Sequence, residues 1–198
     1  MAQNAPIRDQ RRQELIRATI TVIARHGYTG TTLARVAKQA GVATGLVNFH
    51  FQSKERLFRE TFLHLSADYE AIWRKRLADA GGDSRERLAA MIEAYFDRRI
   101  FTREKLAVWF TFWSDAALRD RYRAATTRIE RRYVAEMEAA IAALAGRSGR
   151  RRAKETTLAL SAMIDGFWLQ ALIYPRHFNR AQAVASCRRF LAEQLGRS

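Results

Sequence analysis

The hydrophobic positions of this chain recur with the spacing of an α-helix over most of its length. One short segment has apolar residues at i, i+3, i+4 and i+7, the spacing of one helix face: Leu33, Val36, Ala37 and Ala40. The neighbouring segments show the same period, and none alternates convincingly as a half-buried strand would. The pattern therefore predicts an all-α fold.

Capping residues divide this pattern into separate helices. Four short polar side chains are placed to accept a backbone N–H at a helix N-terminus: Ser53, Asp83, Thr102 and Asn179. The signals together predict nine helices, at about 8–26, 32–40, 43–50, 53–80, 83–101, 102–113, 120–145, 153–173 and 179–195. A basic loop, Gly146–Arg152, is expected between the seventh helix and the eighth.

Two of the predicted helices, 32–40 and 43–50, flank a glycine and form a unit of their own. Gly41 stands where the chain must turn with a positive φ, which glycine adopts without strain. Ala37 is small where two crossing helices approach closely, and Val47 belongs to the apolar face of the second helix. This is the layout of a helix-turn-helix, whose second helix enters the major groove of DNA. We therefore predict a three-helix DNA-binding head at residues 1–52 and a six-helix body at residues 53–198.

Composition and charge agree with a nucleic-acid partner. The 198 residues are 48% hydrophobic, enough for a sizeable core, and include only two prolines. The net charge is +15, which favours a polyanionic partner. Residues 1–60 contribute +6 of this charge and the remainder +9, so basicity alone does not locate the DNA surface.

No catalytic or metal-binding pattern stands out. The four histidines lack the spacing of metal ligands, and there is no Gly-rich phosphate loop, H-E-x-x-H motif or nucleophile elbow. We therefore expect a protein that is not an enzyme and that uses no metal or cofactor. The single Cys187 excludes an internal disulfide framework and suits a reducing cytoplasm. No apolar run is expected to approach membrane-spanning length, and the N-terminus lacks the apolar region of a signal peptide. We therefore expect a cytoplasmic protein without membrane contact.

The head resembles the TetR family of one-component transcriptional repressors. The matching positions are Thr32, Ala37, Ala40–Val42, Gly45, Phe51 and Lys54. Two positions depart from the family pattern: Ala43 replaces the serine that often caps the second motif helix, and Asn48 stands where tyrosine is common. The resemblance implies a homodimer that binds a near-palindromic operator, with a C-terminal domain for regulation and dimerisation.

The second motif helix and its flanks supply the candidate DNA contacts, which are Thr32, Thr44, Gly45, Asn48, Phe49, His50 and Lys54. Asn48 can hydrogen-bond an adenine edge. Thr32, His50 and Lys54 are expected at phosphates instead. The arginines near the N-terminus are open to two interpretations, as phosphate contacts or as a merely solvated terminus: Arg8, Arg11 and Arg12.

Two stretches of the body, Ala107–Trp113 and Ala162–Leu169, resemble the regulatory domain of the BetI group of TetR repressors. That group controls choline-to-glycine-betaine genes, so the resemblance implies a small cationic ligand, with choline as the first candidate. Aromatic faces attract a quaternary ammonium group, and carboxylates can offset the positive field of the protein. The candidate ligand residues are Trp109, Trp113, Asp115, Asp165 and Trp168, with Glu130 as a further counter-charge. Two plainer interpretations stay open: the aromatic residues only fill the core, and Asp165 is a buried carboxylate bonded to a neighbouring helix or subunit.

A glycine in the body points to a close approach between helices. Gly166 lies inside a helical pattern, where glycine costs about 1 kcal/mol relative to alanine. The helix that approaches Gly166 belongs either to the same chain or to the second chain of a dimer. In TetR-like proteins the last two helices form the dimer interface. The candidate interface residues are Phe167, Leu169, Leu172, Phe190 and Leu191.

The sequence leaves two other functions open. One is control of a multidrug exporter, whose cationic substrates would use the same aromatic side chains. The other is constitutive nucleic-acid binding with an inert helical body, for which no ligand is needed.

Overall fold

Helix start and stop signals along the chain produce the all-α architecture that the hydrophobic period predicts. The computed structural model describes residues 4–145 and 149–196, and within these ranges it has nine helices and no strand. The helices are α1 (Asn4–Gly30), α2 (Leu33–Ala40), α3 (Thr44–Phe51), α4 (Lys54–Asp79), α5 (Ser84–Tyr95), α6 (Arg103–Ser114), α7 (Ala116–Leu144), α8 (Gly149–Ile173) and α9 (Arg180–Gly196). The all-α class with an N-terminal helix-turn-helix is thereby confirmed.

The predicted caps at Ser53, Asp83 and Asn179 are confirmed. Each side chain accepts a hydrogen bond from a backbone N–H two or three residues further on, at 2.8 to 3.1 Å. Thr32 caps α2 in the same way, at 3.2 Å. Each bond satisfies an N–H that the first turn of a helix leaves without a partner. α3 follows Ala43, which provides no side-chain cap, as the sequence departure predicts.

α1 runs from residue 4 to residue 30 instead of 8 to 26, although the backbone of Gly27, with a φ of 66°, interrupts its helical geometry. Three later boundaries also differ from the prediction, each for a local reason. α5 ends at residue 95 rather than near residue 101, because the Asp97 side chain accepts the Arg99 backbone N–H at 3.0 Å and holds a turn. α7 begins four residues early, because Asp115 accepts a first-turn N–H at 3.0 Å. α8 already begins at Gly149, so the predicted basic loop is partly helical; residues 146–148 lie outside the described ranges.

α8 also corrects the expectation that no apolar run approaches membrane-spanning length. Its 25 residues are long and apolar enough to cross a membrane, judged by length and composition alone. Only 33% of its most apolar stretch is buried within the chain. Leu158, Leu169 and Ile173 are exposed on this helix. Exposed apolar side chains that lie together commonly mark an interaction surface.

The chain forms two compact units. Unit 1 comprises Met1–Leu65 and Arg103–Tyr122, and unit 2 comprises Ser66–Thr102 and Arg123–Ser198. α4 and α7 each contribute residues to both units. The predicted domain division after residue 52 falls inside unit 1 and stays a prediction.

Unit 1 has an apolar core in which α6 takes part. The ring centroid of Phe62 lies 4.3 Å from that of Phe112 and 5.1 Å from Trp109, both on α6. Tyr28 of α1 meets Phe58 of α4 edge to face at 4.6 Å. The core around the helix-turn-helix therefore draws on helices that the sequence assigned to the body.

An ion-pair network connects helices of unit 2. Arg76 of α4 pairs with Asp97 and with Glu93, at 2.9 Å in each case. Arg99 also pairs with Asp97 at 2.9 Å, and Arg188 of α9 pairs with Glu93. Hydrogen bonds from Arg99 and Arg76 hold the pKa of the Asp97 carboxyl well below its usual range. The network thus joins α4, α5 and α9, and its Asp97 carboxylate stays ionised at neutral pH.

The turn between α2 and α3 depends on the backbone of Gly41. Its φ of 68° and ψ of 33° lie in the left-handed region. Its N–H points back to the carbonyls of Ala37 and Lys38, and the Val42 N–H bonds to the Ala37 carbonyl at 3.0 Å. These bonds end α2 and direct the chain into α3.

We expect Gly41→Ala to destabilise the protein by about 1–2 kcal/mol, because an L-residue in left-handed backbone is strained. No atom lies within 4 Å of the position that an added Cβ would take, so the cost arises from the backbone and not from a clash. Urea unfolding followed by circular dichroism measures the change in the free energy of unfolding.

Gly45→Ala is the matched control for this substitution. Gly45 lies within α3, has no positive φ and has equally open surroundings. Alanine should therefore stabilise the helix there, by about 0.5–1 kcal/mol. If Gly41→Ala were as stable as Gly45→Ala, the role assigned to the turn would be wrong.

Candidate nucleic-acid interface and ligand site

One side of α3 is buried in unit 1 and the other is exposed. Val47 and Phe51 are fully buried and anchor the helix. Residues at positions i, i+1, i+4 and i+5 lie on one side of a helix, which in α3 is the side opposite the buried residues. The exposed residues at these positions are Thr44, Gly45, Asn48 and Phe49, all predicted DNA contacts. This face is the candidate nucleic-acid interface.

His50 belongs to the buried side. It is 6% exposed, and its Nδ1 atom has no hydrogen-bond partner among the described residues. Burial lowers the pKa of the imidazole, and the guanidinium groups of Arg8, Arg12 and Arg11 lower it further. His50 is therefore neutral at pH 7, and its contact with a phosphate stays a prediction that its burial does not favour.

Two other predicted phosphate contacts have partners within unit 1. The Lys54 ammonium lies 4.4 Å from the ring centroid of Tyr28 and 3.5 Å from the Thr29 carbonyl oxygen. Thr32 accepts the Arg35 backbone N–H and caps α2. Both side chains therefore stabilise the local fold, and a phosphate contact would be an additional role for each.

Arginines of α1 lie beside the end of α3. Arg12 pairs with Glu60 at 2.9 Å, and its guanidinium lies 5.1 Å from the ring centroid of Phe51. The Arg8 guanidinium lies 5.7 Å from the ring centroid of Phe49 and has no carboxylate partner in the described part of the chain. This arrangement favours the interpretation of these arginines as phosphate contacts over that of a merely solvated terminus. It also leaves the charge of Arg8 available to a phosphate.

The predicted ligand residues are divided between the units. Trp109, Trp113 and Asp115 belong to unit 1, whereas Asp165 and Trp168 belong to unit 2. Trp109 is buried, with its ring centroid 6.0 Å from that of Trp113. Asp115 caps α7. Core packing and helix capping are sufficient to explain the three residues of unit 1, and their ligand role stays a prediction.

Trp168 belongs to an aromatic cluster in unit 2. The ring centroids of Tyr69, Tyr95 and Tyr133 lie 4.8 to 5.8 Å apart. Trp168 packs edge to face on Tyr95 at 5.9 Å and donates a hydrogen bond from Nε1 to the Tyr95 carbonyl at 3.2 Å. Three different helices supply the tyrosines, and a fourth supplies the tryptophan. These four side chains are termed the tyrosine cluster.

The hydroxyl groups of the tyrosine cluster are not equally satisfied. Tyr133 donates to the Met91 carbonyl at 2.9 Å. The Tyr69 hydroxyl is buried close to those of Tyr95 and Tyr133, but it makes no hydrogen bond of normal geometry among the described residues. Burial raises the pKa of Tyr69 well above the usual range, so the hydroxyl stays neutral. Such a buried, unpaired hydroxyl is costly and can be satisfied by a polar ligand atom.

Two carboxylates, Asp165 and Glu130, act electrostatically on Tyr95. Desolvation and, to a smaller degree, the nearby Glu130 raise the pKa of Asp165 to about 6. Desolvation also raises the pKa of Glu130. Both side chains reach solvent, so Asp165 is not a carboxylate buried within the chain. No group of three His, Cys, Asp or Glu side chains in the described ranges is placed to hold a metal ion.

Sequence reasoning missed Tyr69 and Tyr95 as members of this site. Its aromatic candidates came from the two stretches that resemble the BetI group, and only carboxylates were added from outside them. Tyr69 precedes Trp73 by one helical turn on α4, and this i, i+4 aromatic pair is a usable signal. Tyr95 offers no such signal, because it lies at the end of α5 and reaches the other rings only through packing between helices.

The fold and the exposed face of α3 define a helix-turn-helix transcriptional regulator with a helical C-terminal domain. Residues 15–61 match the bacterial regulatory proteins of the tetR family, and residues 84–196 match the C-terminal domain of BetI-type transcriptional repressors. The chain belongs to the TetR family of DNA-binding transcriptional regulators and is not an enzyme.

Known relatives agree with this assignment. The regulator BetI of Burkholderia mallei (strain NCTC 10229) is 34% identical over 171 residues, which cover 84% of each chain. A solved regulator from Pseudomonas aeruginosa PAO1 is 27% identical, has a TM-score of 0.71 and covers 95% of this chain and 91% of its own. A regulator from Saccharomonospora viridis, solved in complex with choline, is 22% identical, has a TM-score of 0.69 and covers 92% of this chain and 96% of its own. The resemblance to the TetR family and its BetI group is confirmed.

We expect Asn48→Ala to change which DNA sequences are preferred, because Asn48 is exposed on α3 and can bond an adenine edge. Arg8→Ala should weaken binding to all sequences about equally and reduce the salt slope of a dimer by about 2, since it removes one phosphate contact from each half-site. Selection from random duplexes measures the preference, and a salt titration measures the slope.

Lys54→Ala provides a comparison for Arg8→Ala. It should also weaken binding to all sequences, but with a loss of stability, because the ammonium contacts Tyr28. Should Arg8→Ala alter base preference while Asn48→Ala does not, the orientation assigned to α3 is wrong.

Proposed function

We propose that this chain is a cytoplasmic repressor of choline-to-glycine-betaine genes that leaves its operator when it binds a small quaternary ammonium compound, choline first among them. The observation that carries the proposal is the tyrosine cluster of unit 2 beside Asp165 and Glu130. The BetI relatives and the neighbour solved with choline support the same class of ligand.

The proposed site lies within unit 2, at Tyr95 and its neighbours. A quaternary ammonium group has no N–H to donate, so ring faces and negative charge must hold it. Each aromatic wall contributes about 0.5–2 kcal/mol, depending on how far the cation is desolvated. The hydroxyl of choline can hydrogen-bond the buried Tyr69 hydroxyl, which otherwise has only the nearby hydroxyls of Tyr95 and Tyr133. A ligand with both groups therefore matches this site better than a simple ammonium ion does.

The local negative charge of the proposed site favours a cation over a neutral ligand. The chain carries a net charge of +15, so a cation needs local carboxylates to offset the positive field. Asp165 binds a proton up to a pH of about 6 in the free protein. A cation beside it favours the ionised form and lowers its pKa. Cation binding is thereby coupled to release of a proton at mildly acidic pH.

Release from the operator requires that the ligand distinguish two conformations. A ligand with equal affinity for the DNA-binding conformation and for the released one would relieve no repression. The choline-bound protein must therefore favour a conformation in which the two α3 helices of a dimer no longer match the two half-sites.

We expect choline to bind and its uncharged isostere 3,3-dimethyl-1-butanol to bind at least tenfold more weakly, because only the cation gains from the rings and the carboxylates. Isothermal titration calorimetry with both compounds measures the difference. Equal binding of the two would refute the cation site. Preferential binding of bulky cationic drugs would favour control of an exporter, and operator binding without any cation response would favour a ligand-independent protein.

Asp165→Asn and Asp115→Asn form the matched pair of variants for this experiment. Asparagine can still cap a helix at residue 115, so this variant should keep its stability and its affinity for choline. Asp165→Asn should lower the affinity and weaken the pH dependence, leaving only the part due to Glu130. In the unmodified protein the affinity should fall as the pH drops below about 6, by up to about tenfold per pH unit, because the proton on Asp165 competes with the cation. The opposite outcome for the two variants would move the site to unit 1.

We further propose that two copies associate through α8 and α9. Exposed apolar or small residues on α8 follow each other at i, i+4, i+8, i+11 and i+15 and form a stripe along one side: Leu158, Ala162, Gly166, Leu169 and Ile173. A Cβ added at Gly166 would meet no atom within 4 Å, so the close approach expected at this glycine is not made within the chain. A second copy of this chain is the expected partner for the stripe, because a two-fold symmetric operator binds a two-fold symmetric dimer.

The five interface candidates do not share one environment. Leu169 is exposed on α8, as an interface residue of a separate chain must be. Leu191 is buried within its own chain, and Phe167 packs on the ring of Phe96 with 6.3 Å between centroids. Of these three residues, Leu169 therefore has the strongest support as an interface contact.

Leu169→Asp should shift the protein from dimer to monomer and weaken operator binding, because a carboxylate would be buried in the stripe. Val134→Asp, at an exposed apolar residue of α7, is the control and should leave the dimer intact. Sedimentation equilibrium measures the mass of each variant. A wild-type protein that is monomeric both free and on DNA would rule out this interface.

A further inference from the structure

Phe49 is an exposed aromatic residue on the candidate nucleic-acid interface. It is 65% exposed, although its neighbours Val47 and Phe51 on the same helix are fully buried. The other large hydrophobic residues found exposed in the described ranges all belong to unit 2: Val134, Leu158, Leu169, Ile173 and Tyr174. The exposure of Phe49 is therefore a local property of α3.

The surroundings of Phe49 orient the ring without covering it. The ring meets His50 edge to face, with 5.4 Å between centroids, and the Arg8 guanidinium lies 5.7 Å from its centroid. Gly45 lies one helical turn earlier, at i−4, and has no side chain to cover the ring. The space around Gly45 is open as well. Another molecule can thus approach the ring along the helix surface.

The chemistry of a phenyl ring limits what it can recognise on DNA. It can neither donate nor accept a conventional hydrogen bond, so it reads neither phosphate oxygens nor the polar edges of bases. The major groove offers one apolar feature, the C5-methyl group of thymine, and phenylalanine is among the residues that contact it. Asn48 is also exposed, next to Phe49, and can bond an adenine edge in the same groove.

We infer that Phe49 recognises one thymine in each operator half-site through its C5-methyl group, with Arg8 stacked on the ring and directed to the nearby backbone. The inference rests on the proposed binding of a two-fold operator by α3. It assigns a base type to a position whose side chain carries no polar group.

Substitution of uracil for thymine tests this inference, because it removes the methyl group and leaves every hydrogen-bonding atom in place. The operator is first selected from random duplexes with the wild-type protein. Each thymine is then replaced by deoxyuridine, symmetrically in both half-sites, and dissociation constants are measured by fluorescence anisotropy. Burial of one methyl group corresponds to about fourfold in affinity per half-site, so the wild-type protein should bind one of these operators about 16-fold more weakly.

Two variants separate recognition of the methyl group from general DNA binding. Phe49→Ala should bind the thymine and uracil operators equally at that position, whereas Phe49→Leu should keep part of the preference. Both substitutions lie at an exposed residue, and helix content by circular dichroism checks that α3 is intact.

The possible outcomes distinguish this inference from the proposed function. If the wild-type protein binds a selected operator but no uracil substitution weakens binding, the inference is wrong and operator binding stands. If Phe49→Ala keeps the methyl preference at the same thymine, another residue reads it and the inference is also wrong. If no sequence is enriched in the selection, the proposed operator binding itself fails.

Discussion

The left-handed turn at Gly41 is the constraint on which the DNA-binding part of this protein depends. Its backbone N–H ends α2, and the following Val42 N–H returns to the Ala37 carbonyl. The direction in which α3 leaves this turn decides which of its side chains are buried. Val47 and Phe51 then enter the core, and the opposite side of α3 stays exposed for DNA. A change at this one position would therefore alter recognition without touching any residue that contacts a base.

In unit 2 the corresponding constraint is electrostatic. A strongly basic protein can hold a cation only where aromatic faces and carboxylates oppose the overall field. Asp165 and Glu130, which act electrostatically on Tyr95, form the proposed place, and desolvation raises the pKa of both carboxyls. In the proposed ligand site, the same desolvation that makes these acids costly in the free protein would make them selective for a cationic ligand.

Local signals predicted much of the fold, and the failures have identifiable causes. The caps at Ser53, Asp83 and Asn179 were predictable because a capping bond joins residues two or three positions apart. The end of α5 was missed although the bond from the Arg99 N–H to Asp97 is equally local, whereas the ion pair of Asp97 with Arg76 joins another helix and has no local signal. The apolar length of α8 was underestimated, and its exposed stripe becomes visible only once the buried side of the helix is known.

The sequence by itself determined the helical period, the helix-turn-helix and the family, because each depends on residues close together in the chain. Only the tertiary structure decided which side chains share a site. His50 and Phe49 are neighbours in sequence, yet packing buries the first and exposes the second. Tyr69, Tyr95 and Tyr133 meet although each comes from a different helix. Periodicity fixes the face of a helix on which a residue lies, whereas the partner of that face is set by the packing of helices distant in sequence.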